Sequence, residues 1–337
     1  MAAGHPSQAD CRRGVRAVLE GMPEGSLVLA AVSGGTDSLA LAAALAAETT
    51  AAGVEAGAIA VDHGLQEDSA QTALLASQQC IGLGLEPVAV VPADVAATGE
   101  GLEAAARDAR YAALADTATR LAGERPHIVL LGHTRDDQAE QVLLGLVRGS
   151  GARSLAGMPA VLTREGTPFA RPLLHLPRAT TEAATQAWGL VPWEDPMNAD
   201  EGFARVRARR ALADLEDRLG PGIAQALVRS ADLLREDADL LDQLAESSVP
   251  ATEPGEDGQN TVAVTDLEGL APALRSRVWR RLLLAAGAPA GSLTATHVAA
   301  CDALVTEWHG QGPLHLPGLR VQRSGGRVTI APATTGQ

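Results

Sequence analysis

Three polar clusters in this chain combine residue types that work on phosphates, cations and protons. The first is Ser33-Gly34-Gly35-Thr36-Asp37-Ser38. Its glycines let the backbone turn tightly and approach an anion. Its amides, opening a helix, make a cradle for phosphate. Ser33 and Ser38 add hydroxyl donors, and Asp37 is a carboxylate able to hold Mg²⁺ against phosphates. The second cluster is Asp62-His63-Gly64. The third runs from Gly132-His133 through Asp136, Asp137, Gln138 and Glu140, and closes at Arg148-Gly149-Ser150-Gly151. Asp136 and Glu140, four residues apart, share one helix face. Such carboxylates can hold an ammonium group, coordinate Mg²⁺ or accept a proton from an attacking amine. Acidic residues also gather in a first helical turn for the macrodipole alone. His133 either donates to phosphate oxygens or is a satisfied core histidine; Arg148 either clamps phosphates or pairs with a glutamate. No second His or Cys lies near His133 at ligand spacing, so a metal cluster is not expected there.

These clusters need elements to position them. Residues 27–32, 56–61, 87–91 and 127–131 are short apolar runs that read as buried strands. Helical patterns follow over 39–48, 69–82, 102–122 and 136–148, and 168–174 adds one more strand. Strands apolar throughout and alternating with helices predict a five-stranded parallel sheet covered on both faces, a doubly wound α/β domain. The clusters follow the first, second and fourth strands. They therefore meet at the carboxyl edge of the sheet, where such folds bind ligands.

The chain has 337 residues, enough for about two domains. Hydrophobic residues make up 46% and charged residues 20%, which excludes a disordered chain. Aromatic residues are only 2%, so base stacking on aromatic platforms is excluded as a main binding mode. The net charge of −14 disfavours non-specific nucleic-acid binding, so attraction to a polyanion has to be local. All 27 basic residues are arginine, which rules out a Walker lysine, a Schiff base and a pyridoxal-phosphate anchor. Cys11, Cys80 and Cys301 form no CxxC motif, arguing against a zinc knuckle and for a reducing, cytoplasmic compartment. Residues 1–10 are polar, without the apolar stretch of a signal peptide. No apolar run approaches the roughly 20 residues of a membrane span.

Beyond residue 149 the pattern turns mostly helical, with helices over 178–189, 203–219, 221–247, 274–286 and 294–308. Residues 248–260 read as a loop, and 319–323 with 328–331 as a terminal hairpin around Ser324-Gly325-Gly326. The expected domains are 1–215, carrying the chemistry, and 216–337, mostly helical.

The Ser33–Ser38 nest lacks the GxxxxGK(S/T) pattern and resembles the PP-loop of the ATP pyrophosphatase superfamily. Further motifs narrow the likeness. They are Val61-Asp62-His63-Gly64-Leu65, the helix residues Glu103, Ala106, Arg107, Arg110 and Tyr111, and the segment from Gly132 to Glu140. Arg171-Pro172-Leu173-Leu174 and Trp193-Glu194-Asp195-Pro196 extend it. Together, over residues 27–210, they resemble the tRNA(Ile)-lysidine synthetase family.

That resemblance implies a PP-loop (HUP-like) fold and ATP with Mg²⁺ as cofactors. The partners implied are isoleucine tRNA with a CAU anticodon and free L-lysine, with no membrane partner. The wobble cytidine would be adenylated at its 2-carbonyl oxygen, and the lysine ε-amine would displace AMP. Carried over residue by residue, ATP binding falls on Ser33, Gly34, Gly35, Thr36, Asp37, Ser38, Asp62, His63, His133 and Arg148. Lysine binding falls on Asp136, Asp137 and Glu140, Mg²⁺ on Asp37, and catalysis on Asp37, Asp137, Glu140 and Arg205. Arg205 and Arg209, on one helix face, and Arg280 and Arg281, beside Arg275, Arg277 and Trp279, are the basic patches for tRNA phosphates. Both patches read equally as solvated or internally paired helix faces, as do Arg107 and Arg110. The chain departs from the family pattern at Gln66, Met197 and Val206, where Arg, Ser and Asn are common. The rival readings are a PP-loop enzyme that sulfurates tRNA or amidates a small molecule, and a non-catalytic nucleotide-binding module. A homodimer is compatible with the sequence.

Overall fold

The computed structural model describes residues 5–62, 69–93, 102–149, 151–193, 200, 202–255 and 258–333, with no side-chain description for 102–104. In chain order the first part comprises α1 (Pro6–Leu19), β1 (Leu27–Val32), α2 (Thr36–Ala52), β2 (Glu55–Asp62), α3 (Ser69–Gly82), β3 (Val88–Pro92) and α4 (Leu102–Ala122). There follow β4 (His127–Leu131), α5 (Arg135–Val147), α6 (Ala152–Leu155), β5 (Val161–Arg164), β6 (Thr167–Ala170), α7 (Arg178–Ala187), α8 (Ala204–Leu219) and α9 (Ile223–Ser247).

The strands form one sheet in the order β3-β2-β1-β4-β6-β5. Five are parallel, as expected. The sixth, β5, pairs antiparallel with β6 at the edge. It was missed because four residues are too few to show a period. Its signal is the turn Glu165-Gly166, whose residues have φ of 48° and 74°, the pair of positive values a tight hairpin needs. The strand expected over 168–174 stops at Ala170, where Arg171 and Pro172 leave the sheet.

Alternation along β1 builds a core on each face of the sheet. Val28, Ala30 and Val32 pack with Leu41 and Leu45 of α2 and with Cys11, Val15 and Leu19 of α1. Leu27 and Leu29 face the other way, onto Tyr111 and Leu114 of α4 and Phe169 of β6. Helix α2 has buried residues all round because α1 and α7 cover the side turned from the sheet. Helix α1 was not expected from the polar N-terminus. Its buried residues at spacings of four (Cys11, Val15, Leu19) carry the signal, and Arg12 and Arg16 pair with the buried Glu48 of α2.

The chain divides into two compact units at Leu233/Leu234, inside α9. The second unit adds β7 (Glu253–Pro254), β8 (Asn260–Ala263), α10 (Val264–Glu268), α11 (Pro272–Ala285), α12 (Ala295–Thr306), β9 (Leu314–Leu316), β10 (Leu319–Ser324) and β11 (Arg327–Pro332). The expected hairpin is β10–β11, in register Leu319↔Pro332 to Ser324↔Arg327. It is the centre of a five-stranded antiparallel sheet, β7-β8-β11-β10-β9, so this unit is less helical than the sequence suggested. The flanking strands have two to four residues and show no alternation of their own. Trp279, Leu283, Cys301, Val321 and Val328 make its core. Among the described residues no helix is long and apolar enough to cross a membrane.

Candidate active site

The nest sits where β1 ends and α2 begins. Gly34 has φ of +82°, a left-handed conformation that reverses the backbone without strain only in glycine. Gly35 caps α2 and offers the first-turn amides no side-chain acceptor of its own, a cap that suits an anionic ligand. Ser38 Oγ accepts from the Ser33 amide at 3.2 Å and donates to the Gly35 carbonyl at 2.8 Å, which fixes the loop. The Trp193 amide donates to the Gly34 carbonyl at 2.9 Å. Gly132 ends the neighbouring strand against this turn. A Cβ there would lie 3.0 Å from the Asp37 backbone, so only glycine lets the two strand ends approach so closely.

Asp37, in the first turn of α2, accepts from the Thr181 hydroxyl at Oδ1 and from Arg178 Nε at Oδ2, 3.3 Å. Burial pushes its carboxyl up to about 6, against the pull of Thr181 and Arg178. Asp137 closes the capping box of α5: its Oδ2 accepts from the Thr134 amide at 2.8 Å and hydroxyl at 2.9 Å. Its Oδ1 accepts from Arg178 Nη2 at 2.8 Å. Burial raises its proton affinity, but Arg178, His133 and the Thr134 donors outweigh it and hold the carboxyl below its ordinary value. Glu140, nearly fully buried, accepts from Arg209 Nε at 2.8 Å through Oε1. Among the described residues its Oε2 is buried without a partner. Burial raises its carboxyl, with Arg209 opposing. The acidic wall is therefore Asp37, Asp137 and Glu140. Asp136 turns aside to accept from the Arg178 amide at 2.8 Å, so the expected Asp136/Glu140 face is replaced by one carrying Asp137 and Glu140.

Beside this wall, coupled to it through His133 and Asp137, is a basic cluster. Arg171 Nε donates to His133 Nδ1 at 3.1 Å, and its Nη2 donates to the Tyr111 hydroxyl at 2.8 Å. Accepting at Nδ1, a neutral His133 carries its proton on Nε2. Burial, Arg171, Arg110 and Arg205 drive its titration well below the ordinary value, against Asp137. Burial and the charges of Arg107, Arg205 and Arg171 likewise press on Arg110, which stays protonated as guanidinium groups do. The Glu-x-x-Ala-Arg-x-x-Arg-Tyr helix thus contributes Tyr111 and Arg110 to the site.

Other expected residues fall elsewhere. Arg148 caps the exposed C-terminus of α5, about 20 Å along the helix from His133 by the helical rise, so the structure does not bring it to the nest. Asp62 ends β2 at the carboxyl edge. His63 lies outside the described residues, as do Gly64 to Gln66 and Glu194 to Ala199. Arg209, expected to contact tRNA phosphates, pairs with Glu140 and keeps a half-exposed side chain. Arg205 shares its face and lies within electrostatic reach of His133 and Arg110. The arginines of the second patch make contacts within their own domain. Arg275 is buried and paired with Asp302, Arg277 with Asp242, and Arg281 with Glu246, while Arg280 donates to the Leu293 carbonyl.

Sequence reasoning missed Arg178 and Thr181, the residues that join the acidic wall. The available signal was a cation in the first turn of a helix, where the macrodipole disfavours it unless carboxylates face it.

A family model described as the PP-loop domain matches residues 9–216, and one described as the TilS substrate binding domain matches residues 263–329. The tRNA(Ile)-lysidine synthase of Thermobifida fusca is 49% identical over 333 residues, covering 98% of this chain and 99% of that one. That of Leifsonia xyli is 50% identical over 313 residues, covering 92% and 91%. Among solved structures, the U34-tRNA thiolase NcsA from Methanococcus maripaludis with its 4Fe-4S cluster aligns with a TM-score of 0.56 at 20% identity. It covers 68% of this chain and 80% of its own, and that likeness concerns the fold. The PP-loop nest, the adjoining acidic and basic clusters and this near-full-length identity agree: the chain belongs to the tRNA(Ile)-lysidine synthase family.

Proposed function

We propose that the protein ligates lysine to the wobble cytidine of isoleucine tRNA with a CAU anticodon, using ATP. The cytidine 2-carbonyl oxygen attacks the ATP α-phosphate and releases pyrophosphate. The lysine ε-amine, having lost a proton, then forms the new bond at C2, and AMP leaves with the oxygen. The Ser33–Ser38 nest holds phosphates through its amides and the Ser33 hydroxyl. His133 Nε2–H and Arg205 face the anionic side of the reaction, where fixed donors stabilise developing charge. Asp137 and Glu140 receive the cationic amine, and a carboxylate here is placed to take its proton.

The observation that carries this reading is Glu140 Oε2, a buried carboxylate oxygen with no partner among the described residues, next to Asp137. An unpaired buried acceptor is costly and calls for a donor beyond the described residues. An ammonium group supplies one. Mg²⁺ also fits the donor set: Asp37 is a hard oxygen ligand at the phosphate nest. Among the described residues no group of three or more His, Cys, Asp or Glu forms a cage, and Mg²⁺ commonly binds through substrate phosphates and one or two carboxylates. When bound, the ion would neutralise charge on the phosphates. The three thiols do not suit sulfur transfer. Burial pushes Cys11 up to about 12, Cys80 to about 11 and Cys301 to about 12, so the reactive thiolate is disfavoured.

The test is incubation of the protein with ATP, labelled lysine and bulk tRNA. Label entering tRNA with stoichiometric release of pyrophosphate supports the reading. Pyrophosphate release without label transfer assigns the chain to another PP-loop reaction.

A further inference from the structure

Helix α7 turns Arg178, Thr181 and Thr185 onto one face, at spacings of three and four. All three reach the nest or the acidic wall. Thr185 donates to the Thr36 carbonyl at 3.0 Å, and Thr181 donates to Asp37. The Arg178 guanidinium spans Asp37 of α2, 3.3 Å away, and Asp137 of α5, 2.8 Å away, with Glu140 at 3.9 Å. Its amide is anchored separately on Asp136, which fixes where the side chain starts. Two carboxylates needed in one pocket thus come from two helices that carry no direct hydrogen bond between those groups. A third helix sets their separation with a planar fork of donors.

We propose that Arg178 is a positioning residue for lysine ligation: by bridging Asp37 and Asp137 it presets the carboxylates that meet the substrate amine and the nucleotide. The proposal rests on the ligase reading above. Arg178 contributes geometry rather than bond making. Its planar fork can contact both carboxylates at once, whereas a lysine ammonium acts as a point charge and matches this bridge poorly. Two discrete carboxylate positions would otherwise relax apart by mutual repulsion, and small misplacements of reacting groups are costly in rate.

The experiment measures lysine incorporation and pyrophosphate release by full-length wild type, Arg178→Ala, Arg178→Gln and Arg178→Lys, with tRNA affinity and thermal melts alongside. Arg178→Ala is expected to raise the lysine KM by about tenfold and lower kcat by about a hundredfold, with tRNA affinity unchanged. Arg178→Lys is expected to recover part of kcat while keeping the raised KM, a split that a merely structural residue would not produce. Should Arg178→Ala not fold, Arg178→Gln, which keeps donors and loses charge, carries the same comparison. An unchanged or lowered lysine KM with near wild-type kcat overturns the proposal; a lowered KM would make Arg178 a competitor for the amine site. If wild type releases pyrophosphate without transferring lysine, the ligase reading fails instead. Arg178 is then judged on pyrophosphate release alone, where an unchanged rate in Arg178→Ala overturns its role.

Discussion

Arg209 donates to Glu140 across 2.8 Å, so an arginine that looks from the sequence like an RNA contact is engaged by a buried carboxylate of the acidic wall. Glu140 is almost completely inaccessible, and removing its partner leaves a buried carboxylate short of compensation. Arg209→Ala is therefore expected to destabilise the fold by about 1–3 kcal/mol. The salt dependence of tRNA affinity should stay as it is. A fall in the log–log slope of about 0.7–0.9 would instead place Arg209 on a phosphate.

Glu140→Gln keeps the shape of the wall and removes its charge. A charge-assisted hydrogen bond is worth about 1.5–3 kcal/mol, so the lysine KM should rise roughly tenfold to a hundredfold. The ATP KM should move little, since the nest lies on α2. Initial rates at varied lysine and fixed ATP, then the converse, decide the matter. A change confined to ATP reassigns Glu140 to the nucleotide.

Burial lifts the Asp37 carboxyl from its ordinary 3.8 to about 6. The folded protein thus holds this proton more tightly than the unfolded chain, so stability falls as pH rises through that interval and the cost is complete above about 6. Asp37→Asn should raise the melting temperature near pH 8 by the equivalent of about 2–3 kcal/mol at most, while abolishing pyrophosphate release. The two melts should converge as pH is lowered toward 4. Equal melts at pH 8 would mean that the Asp37 carboxyl carries no net lift in the folded protein.

Gly132→Ala tests how closely two strand ends must meet. The new Cβ would stand 3.0 Å from the carbonyl carbon and oxygen of Asp37 and 3.1 Å from Ser38 Cα, against backbone that cannot swing away. Overpacking of this kind costs about 1–3 kcal/mol. The ATP KM should rise along with the loss in melting temperature. A fully stable variant with native ATP affinity would show that the nest tolerates displacement.

The sequence made the nest, Asp137 and Glu140 legible because each lies in a contiguous motif directly after an apolar strand. Local spacing then determines both the element and the edge it faces. Arg178 was not legible that way: its meaning comes from carboxylates on α2 and α5, and only the anomaly of a cation in a first turn marks it. Arg209 shows the converse, since an i, i+4 arginine face describes a helix without saying which side is covered. Strand β5 and the sheet around β10–β11 escaped because two- to four-residue strands carry too few positions for a period.

The bridge from Arg178 to Asp37 closes a span of 141 residues, whereas the nest's own Ser33–Ser38 bonds lie within six. Chains emerge from synthesis N-terminus first, so the phosphate cradle can form well before helix α7 is available. A nascent protein would then hold a nucleotide loop whose acidic wall is still unset. Completion of the site thereby becomes a late event in the history of each molecule, and a chain cut before α7 would lack the Arg178 bridge together with the Thr185 and Trp193 bonds to the nest.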